Sequence, residues 1–224
     1  MKNCRGALCA LLVLFVVEAR AASWTEGRDY YVITPSQAGS VPAGKVEVLE
    51  VFSYGCPACK NFQPILQLLK QSLPPNAQLA FLPAAFNAAE DWPMFQRAYL
   101  TAQALGIAER THQQMYDAVW QTGELAAIDP VARRPKSPQP SIEDAARLYA
   151  RWTGIKAADF LATAHSFGVD MKMRAADAQI LAMQVPSTPC IVVAGRYRVS
   201  SDVVSAPEPL IELVRYLIVK ASTH

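Results

Sequence analysis

Two cysteines stand two residues apart in Cys56-Pro57-Ala58-Cys59, directly after the run Val46-Glu47-Val48-Leu49-Glu50-Val51-Phe52 and the step Ser53-Tyr54-Gly55. From Pro57 onward the pattern turns helical, with Phe62, Ile65, Leu66 and Leu69 at three- and four-residue spacing. A cysteine at the start of a helix sits where free N–H groups and the helix dipole favour a thiolate. Cys59, three positions on, is near enough to close a disulfide with Cys56 or to resolve a mixed one. Disulfide exchange runs by thiolate attack on a disulfide sulfur, so a stabilised Cys56 thiolate is both attacking group and good leaving group. Pro57 suits the first helical turn, where its missing N–H costs nothing. Neither Pro57 nor Ala58 carries charge, which leaves the tuning to the helix end.

Other uses of the pair are weaker. Zinc needs four ligands, and beyond this pair the cysteines and histidines from residue 22 onward are only Cys190 and the scattered His112, His165 and His224. A structural disulfide framework would use more cysteines, in even number. Two further features belong with the pair. Val185-Pro186-Ser187-Thr188-Pro189-Cys190 leads into a strand-like run. If the bond to Pro189 is cis, this step can lie beside the cysteines and leave the backbone of Thr188 free to pair with an extended substrate. Glu50 lies in an otherwise apolar strand, six positions before Cys56. Buried, it would carry a raised pKa and could exchange a proton with Cys59; otherwise it faces outward, as Glu47 is expected to. Cys190 reads as a small buried residue opening a core strand, with a disulfide to the active pair as the other possibility.

The elements that must position these groups are legible in outline. Residues 30–33 form a short β-like run, 46–52 a strong strand and 78–82 a second one, after a stop at Leu73-Pro74-Pro75-Asn76. Pro64 kinks or restarts the first helix. Residues 92–105 and 109–120 are helical, followed by a proline-rich loop at 130–140. Ser141 then caps a helix with acids in its first turn. Residues 157–167 and 170–183 give two more helices. Strand signals return only at 190–194 and 196–199, a hairpin around Gly195, and 208–221 closes the chain as an amphipathic helix. This order predicts an α/β thioredoxin-like fold interrupted by an inserted helical domain, with residues 22–86 and 184–224 in the first part and 87–183 in the insertion.

Composition bounds the rest. The 224 residues are 52% hydrophobic and 18% charged, and the net charge of +2 with no aromatic-laced basic patch speaks against nucleic acid. Arg133-Arg134-Pro135-Lys136 reads as a solvated loop. Lys2 and Arg5, the apolar run 7–17 and Ala19-Arg20-Ala21 form a cleavable export signal over residues 1–21, too short to span a bilayer. Cys4 and Cys9 would leave with it. The mature chain keeps Cys56, Cys59 and Cys190, one close pair and a single thiol.

Residues 48–59, the Thr188-Pro189 step before a hairpin and the helical insertion together resemble the DsbA family of bacterial periplasmic dithiol oxidases, over nearly the whole mature chain. The resemblance implies oxidation of unfolded, newly exported proteins in the periplasm and reoxidation by a membrane partner of the DsbB type. Neither cofactor nor metal is expected, nor nucleic acid, and the chain is expected to act as a monomer. It also implies Cys56 as nucleophile, Cys59 as its buried partner and Glu50 as the acid beneath the site. Thr188 and Pro189, with Pro57 and Ala58, are the implied substrate-binding residues. Two departures matter. Ala58 stands where the best-known members have histidine, which implies a less oxidising protein, and residues 78–86 hold no lysine to face Glu50. An isomerase or reductase of the same fold is the nearest alternative, and a peptide-binding chaperone a more distant one.

Overall fold

The structure, a computed structural model, describes residues 23–129 and 131–223. The expected export signal, residues 1–21, and His224 therefore lie outside the described residues, as does Pro130 of the proline-rich loop. Five strands make one sheet: β1 (Tyr30–Val32), β2 (Val46–Phe52), β3 (Ala77–Pro83), β4 (Cys190–Val193) and β5 (Tyr197–Val199), in the order β1-β5-β4-β2-β3. Among the described strands only β2 and β3 pair in parallel. Their crossover is α1 (Pro57–Ser72), the helix that begins at the cysteine pair, as a parallel connection requires. Pro64 sits inside α1 without ending it.

Between β3 and β4 the chain is helical, as the sequence predicts: α2 (Trp92–Ala104), α3 (Ala108–Trp120), α4 (Ile142–Thr153), α5 (Ala157–Ala164) and α6 (Phe167–Ala182). Ser141 caps α4 through a reciprocal pair with Asp144. The break before α6 falls earlier than the sequence suggests. Ser166 accepts the N–H of Val169 as N-cap, so Phe167 opens α6 rather than closing α5. After β5 come a short helix, α7 (Ser201–Val204), and α8 (Pro207–Ser222). The turn between β4 and β5 needs its glycine. Gly195 has φ +59°, and a Cβ there would lie 2.0 Å from the Gln37 carbonyl oxygen.

Both faces of β2 are covered, which explains its near-continuous apolar run. Val48 packs with Phe62 and Leu66 of α1 and Leu213 and Leu217 of α8. Leu49 and Val51 pack on the other face against Ile180 and Met183. A third cluster joins Phe52, Tyr54 and both cysteines to the helices between β3 and β4. Glu47 does not face outward: it is 3% exposed, and its carboxylate accepts hydrogen bonds from the backbone N–H and hydroxyl of Ser40 at 2.6 and 2.7 Å. The 36–41 loop folds over that side of the strand and supplies a partner that strand alternation could not reveal.

Candidate active site

Cys56 ends the turn from β2 and is the N-cap of α1, with φ −87° and ψ 116°. Its N–H bonds the Ser53 carbonyl at 3.1 Å. Its sulfur accepts the backbone N–H of Cys59 at 3.3 Å, the place an oxygen usually takes at a helix start. Pro57 occupies the first helical positions. Pro57 and Ala58 are exposed, whereas the two cysteines are buried free thiols.

The two thiols sit in opposite environments. The Cys56 thiol is pulled down to about 6, chiefly by the hydrogen bond from the Cys59 thiol. The Thr188 side chain and the N–H groups of Cys59 and Ala58 add to this, against burial, which raises it. Burial pushes Cys59 far above the ordinary thiol range, with Cys56 and Glu50 driving it further. A charge that the helix end welcomes at Cys56 is thus excluded one turn later.

Thr188 and Pro189 are brought to the pair. The Cys56 sulfur lies 3.5 Å from the Thr188 carbonyl oxygen, and the Thr188–Pro189 bond is cis. The Thr188 hydroxyl is buried with no hydrogen-bond partner among the described residues, leaving it free to donate to a thiolate. Both residues are half-buried beside exposed Pro57 and Ala58, so these four form one lip around Cys56.

Glu50 is fully buried, and neither carboxylate oxygen has a hydrogen-bond partner among the described residues. Strand alternation puts it on the face of Val48 and Phe52, beneath α1. Its cross-strand neighbours are Phe81 and Ile191, apolar on both sides. Burial, and then the charge of Cys56, hold its pKa well above the usual carboxylate range. The shift favours the protonated acid, the form that gives a proton.

Cys190 points elsewhere. It pairs with Val51 on β2 and packs with Ile180 and Met183, and burial pushes its thiol up to about 12. Among the histidines, His165 is exposed and His112 is buried.

His112 belongs to a group that sequence reasoning missed. His112, Tyr116 and Trp120 lie four apart on one face of α3 and converge on Tyr54, two positions before Cys56. His112 Nδ1 is 3.0 Å from the Tyr54 hydroxyl, and the Trp120 indole N–H bonds the Tyr54 carbonyl at 2.8 Å. Tyr116 meets the Tyr54 ring edge-on at 5.0 Å. From α2, Trp92 closes against Gly55, where a Cβ would lie 2.6 Å from the indole nitrogen. The four-residue recurrence of aromatic residues in 108–120 was the available signal.

No protein-family model matches the chain. Known relatives do. The thiol:disulfide interchange protein DsbA of Pseudomonas aeruginosa is 30% identical over 214 residues, covering 96% of this chain and 93% of that protein. The DsbA of Azotobacter vinelandii is 30% identical over 218 residues, covering 95% and 94%. Among solved structures, the oxidoreductase DsbA of Xylella fastidiosa superposes with a TM-score of 0.73 at 30% identity, over 88% of this chain and 96% of that one. The crystal structure of P. aeruginosa DsbA gives 0.72 at 29%, over 89% and 95%. Likeness of this extent, in a thioredoxin-like α/β fold whose sheet and first helix meet at two unequal thiols, places the chain in the DsbA family of thiol:disulfide interchange proteins, and it is a thiol–disulfide oxidoreductase.

Proposed function

We propose that the protein introduces disulfides into unfolded, newly exported polypeptides, through the Cys56–Cys59 pair and with no cofactor. The observation that carries this reading is the inequality of the two thiols: a Cys56 pKa of about 6 beside a Cys59 driven far upward. In the oxidised protein a substrate thiolate attacks the Cys56 sulfur at the exposed lip, forming a mixed disulfide and releasing Cys59. Because the Cys59 thiolate is disfavoured, it takes up a proton, and protonated Glu50 beneath α1 is the donor this reading assigns. A second substrate thiolate then attacks the substrate sulfur and expels Cys56 as a stable thiolate. The substrate dithiol loses two electrons and becomes a disulfide; the protein's disulfide gains them. Thr188 and Pro189, with Pro57 and Ala58, hold the substrate backbone beside Cys56.

A membrane partner of the DsbB type would return the pair to the disulfide, and residues 1–21 would act as the export signal. With Ala58 in place of the histidine of the best-known relatives, the pair is expected to be the less oxidising. The test is oxidation of an unfolded polypeptide carrying two thiols. Oxidised wild type should yield one disulfide per molecule, and Cys59→Ser, activated as a mixed disulfide on Cys56, should stall attached to a polypeptide that carries a single thiol. Equal activity in Cys56→Ser would contradict the reading.

A further inference from the structure

The outer edge of the sheet on the α1 side is unguarded. β3 is the last strand, and its ladder with β2 opens with Val46 N–H on the Asn76 carbonyl at 2.8 Å and closes with Ala84 N–H on the Phe52 carbonyl at 2.7 Å. A parallel ladder engages every second residue of each strand. The even-numbered residues of β3 therefore face β2, and Ala77, Leu79 and Phe81 turn their N–H and C=O groups outward. Ala77 N–H folds back to the Pro74 carbonyl at 2.9 Å. The Ala77 carbonyl and both backbone groups of Leu79 and Phe81 have no protein partner among the described residues. Edges of this kind are commonly blunted by lysine or proline. In β3 neither occurs before its last residue, Pro83.

This edge opens into a groove of about 720 Å³, within the ~300–1,000 Å³ of ligand sites. Gln63, Gln67 and Lys70 of α1 form one wall, and Gln103, Glu109 and His112 from α2 and α3 the other. Lys70 and Glu109 neutralise each other across it at 3.0 Å. Two buried groups at its lining lack partners among the described residues, Gln63 Oε1 at 6% residue exposure and His112 Nε2 at 8%. The lining is thus neutral and rich in amides, and it ends in unused hydrogen-bonding atoms.

We propose that this groove is a second binding site, which takes an extended, uncharged stretch of unfolded polypeptide as an added strand on β3. Strand addition answers the geometry directly: outward groups recur every second residue on both the edge and an extended chain. The neutral walls suit a segment without charge. A second folded copy fits poorly, because its own β3 edge is recessed between helices in the same way. The groove also adjoins the redox helix, since Gln63 donates to the Cys59 carbonyl at 3.3 Å. Gln63 lies about 10 Å along α1 from Cys56 at 1.5 Å per residue, so a few extended residues would link a segment in the groove to a cysteine at Cys56. That the bound chain is a substrate rests on the proposed function; that the edge accepts a strand does not.

The test uses a cysteine-free, capped octapeptide of Thr, Val, Ser and Gln, titrated into isotope-labelled protein whose Cys56 is either free or alkylated. Saturable shifts and slowed hydrogen exchange at the Leu79 and Phe81 amides are expected in both forms. Peptides N-methylated at alternate residues, covering both registers, should fail to produce them. Gln103→Lys should weaken binding about fivefold or more, with exchange against a small disulfide unchanged. Unmoved Leu79 and Phe81 amides at millimolar peptide would overturn the proposal. So would equal binding of the N-methylated peptides, or the same shifts appearing with protein concentration alone. Because the probe carries no thiol, failure here leaves the exchange chemistry untouched, and failure of that chemistry leaves this site standing.

Discussion

Cys56 and Cys59 are separated by one helical turn, yet burial and hydrogen bonding drive their acidities in opposite directions. Glu50 completes the set as an acid with no partner of its own. Glu50→Gln keeps the shape and removes the proton, so opening of the Cys56–Cys59 disulfide by a substrate thiolate at pH 7 should slow by about 10², measured by stopped-flow fluorescence. An unchanged rate would take Glu50 out of proton transfer. The same variant reports on stability. The folded-state pKa of Glu50 lies above its ordinary 4.5, so its cost is absent at low pH and grows as pH rises past that value. Glu50→Gln should match wild type in denaturant unfolding near pH 4 and exceed it at pH 8. The cysteines were legible because their chemistry depends on a spacing of three. Glu50 was not, because β2 is buried on both faces and alternation then separates no inside from outside. Glu47 and Glu50 are both buried, and only Glu47 has a hydrogen-bond partner.

Among the elements, α1 supplies the field at Cys56, and α3 holds the turn that delivers Cys56 to it. The α3 face of His112, Tyr116 and Trp120 fixes Tyr54 by side chain and backbone together. Trp120→Phe retains an aromatic ring and deletes the bond to the Tyr54 carbonyl. Its unfolding free energy should fall by about 1–2 kcal/mol, and alkylation of Cys56 should need a higher pH as the turn loosens. Loss of stability with no change in alkylation would leave Trp120 a packing residue only. The helices were readable from their apolar periodicity. What each face of α3 touches was not, since His112 and Tyr54 are 58 positions apart and no local pattern joins them. The boundary at Ser166 was missed for a similar reason: a capping serine outweighed the apolar Phe167 that would have extended α5.

At the scale of the whole molecule, the site exists because the sheet brings the end of β2 to the start of β4, across 132 positions between Cys56 and Thr188. The sheet and helical block could be anticipated from the order of strand and helix signals. The groove at β3 could not, because it depends on which backbone groups the ladder leaves unused. Folding and ionisation are linked through Cys56. Its folded pKa, about 6, lies below its ordinary 9.0. The stabilisation it provides to the reduced protein is therefore fully present above pH 9 and is lost as pH falls through 6. Between those limits the stability of wild type relative to Cys56→Ser should climb by about 1.4 kcal/mol per pH unit. A flat difference across that window would mean the folded protein gives the thiolate no special support.

The most direct measurement is the rate of Cys56 carbamidomethylation in the fully reduced protein as a function of pH, with the modified residue identified by mass spectrometry. The rate should titrate with a midpoint near pH 6, with Cys59 and Cys190 unmodified. A midpoint between about 8 and 9, the range of an ordinary thiol, would contradict the account.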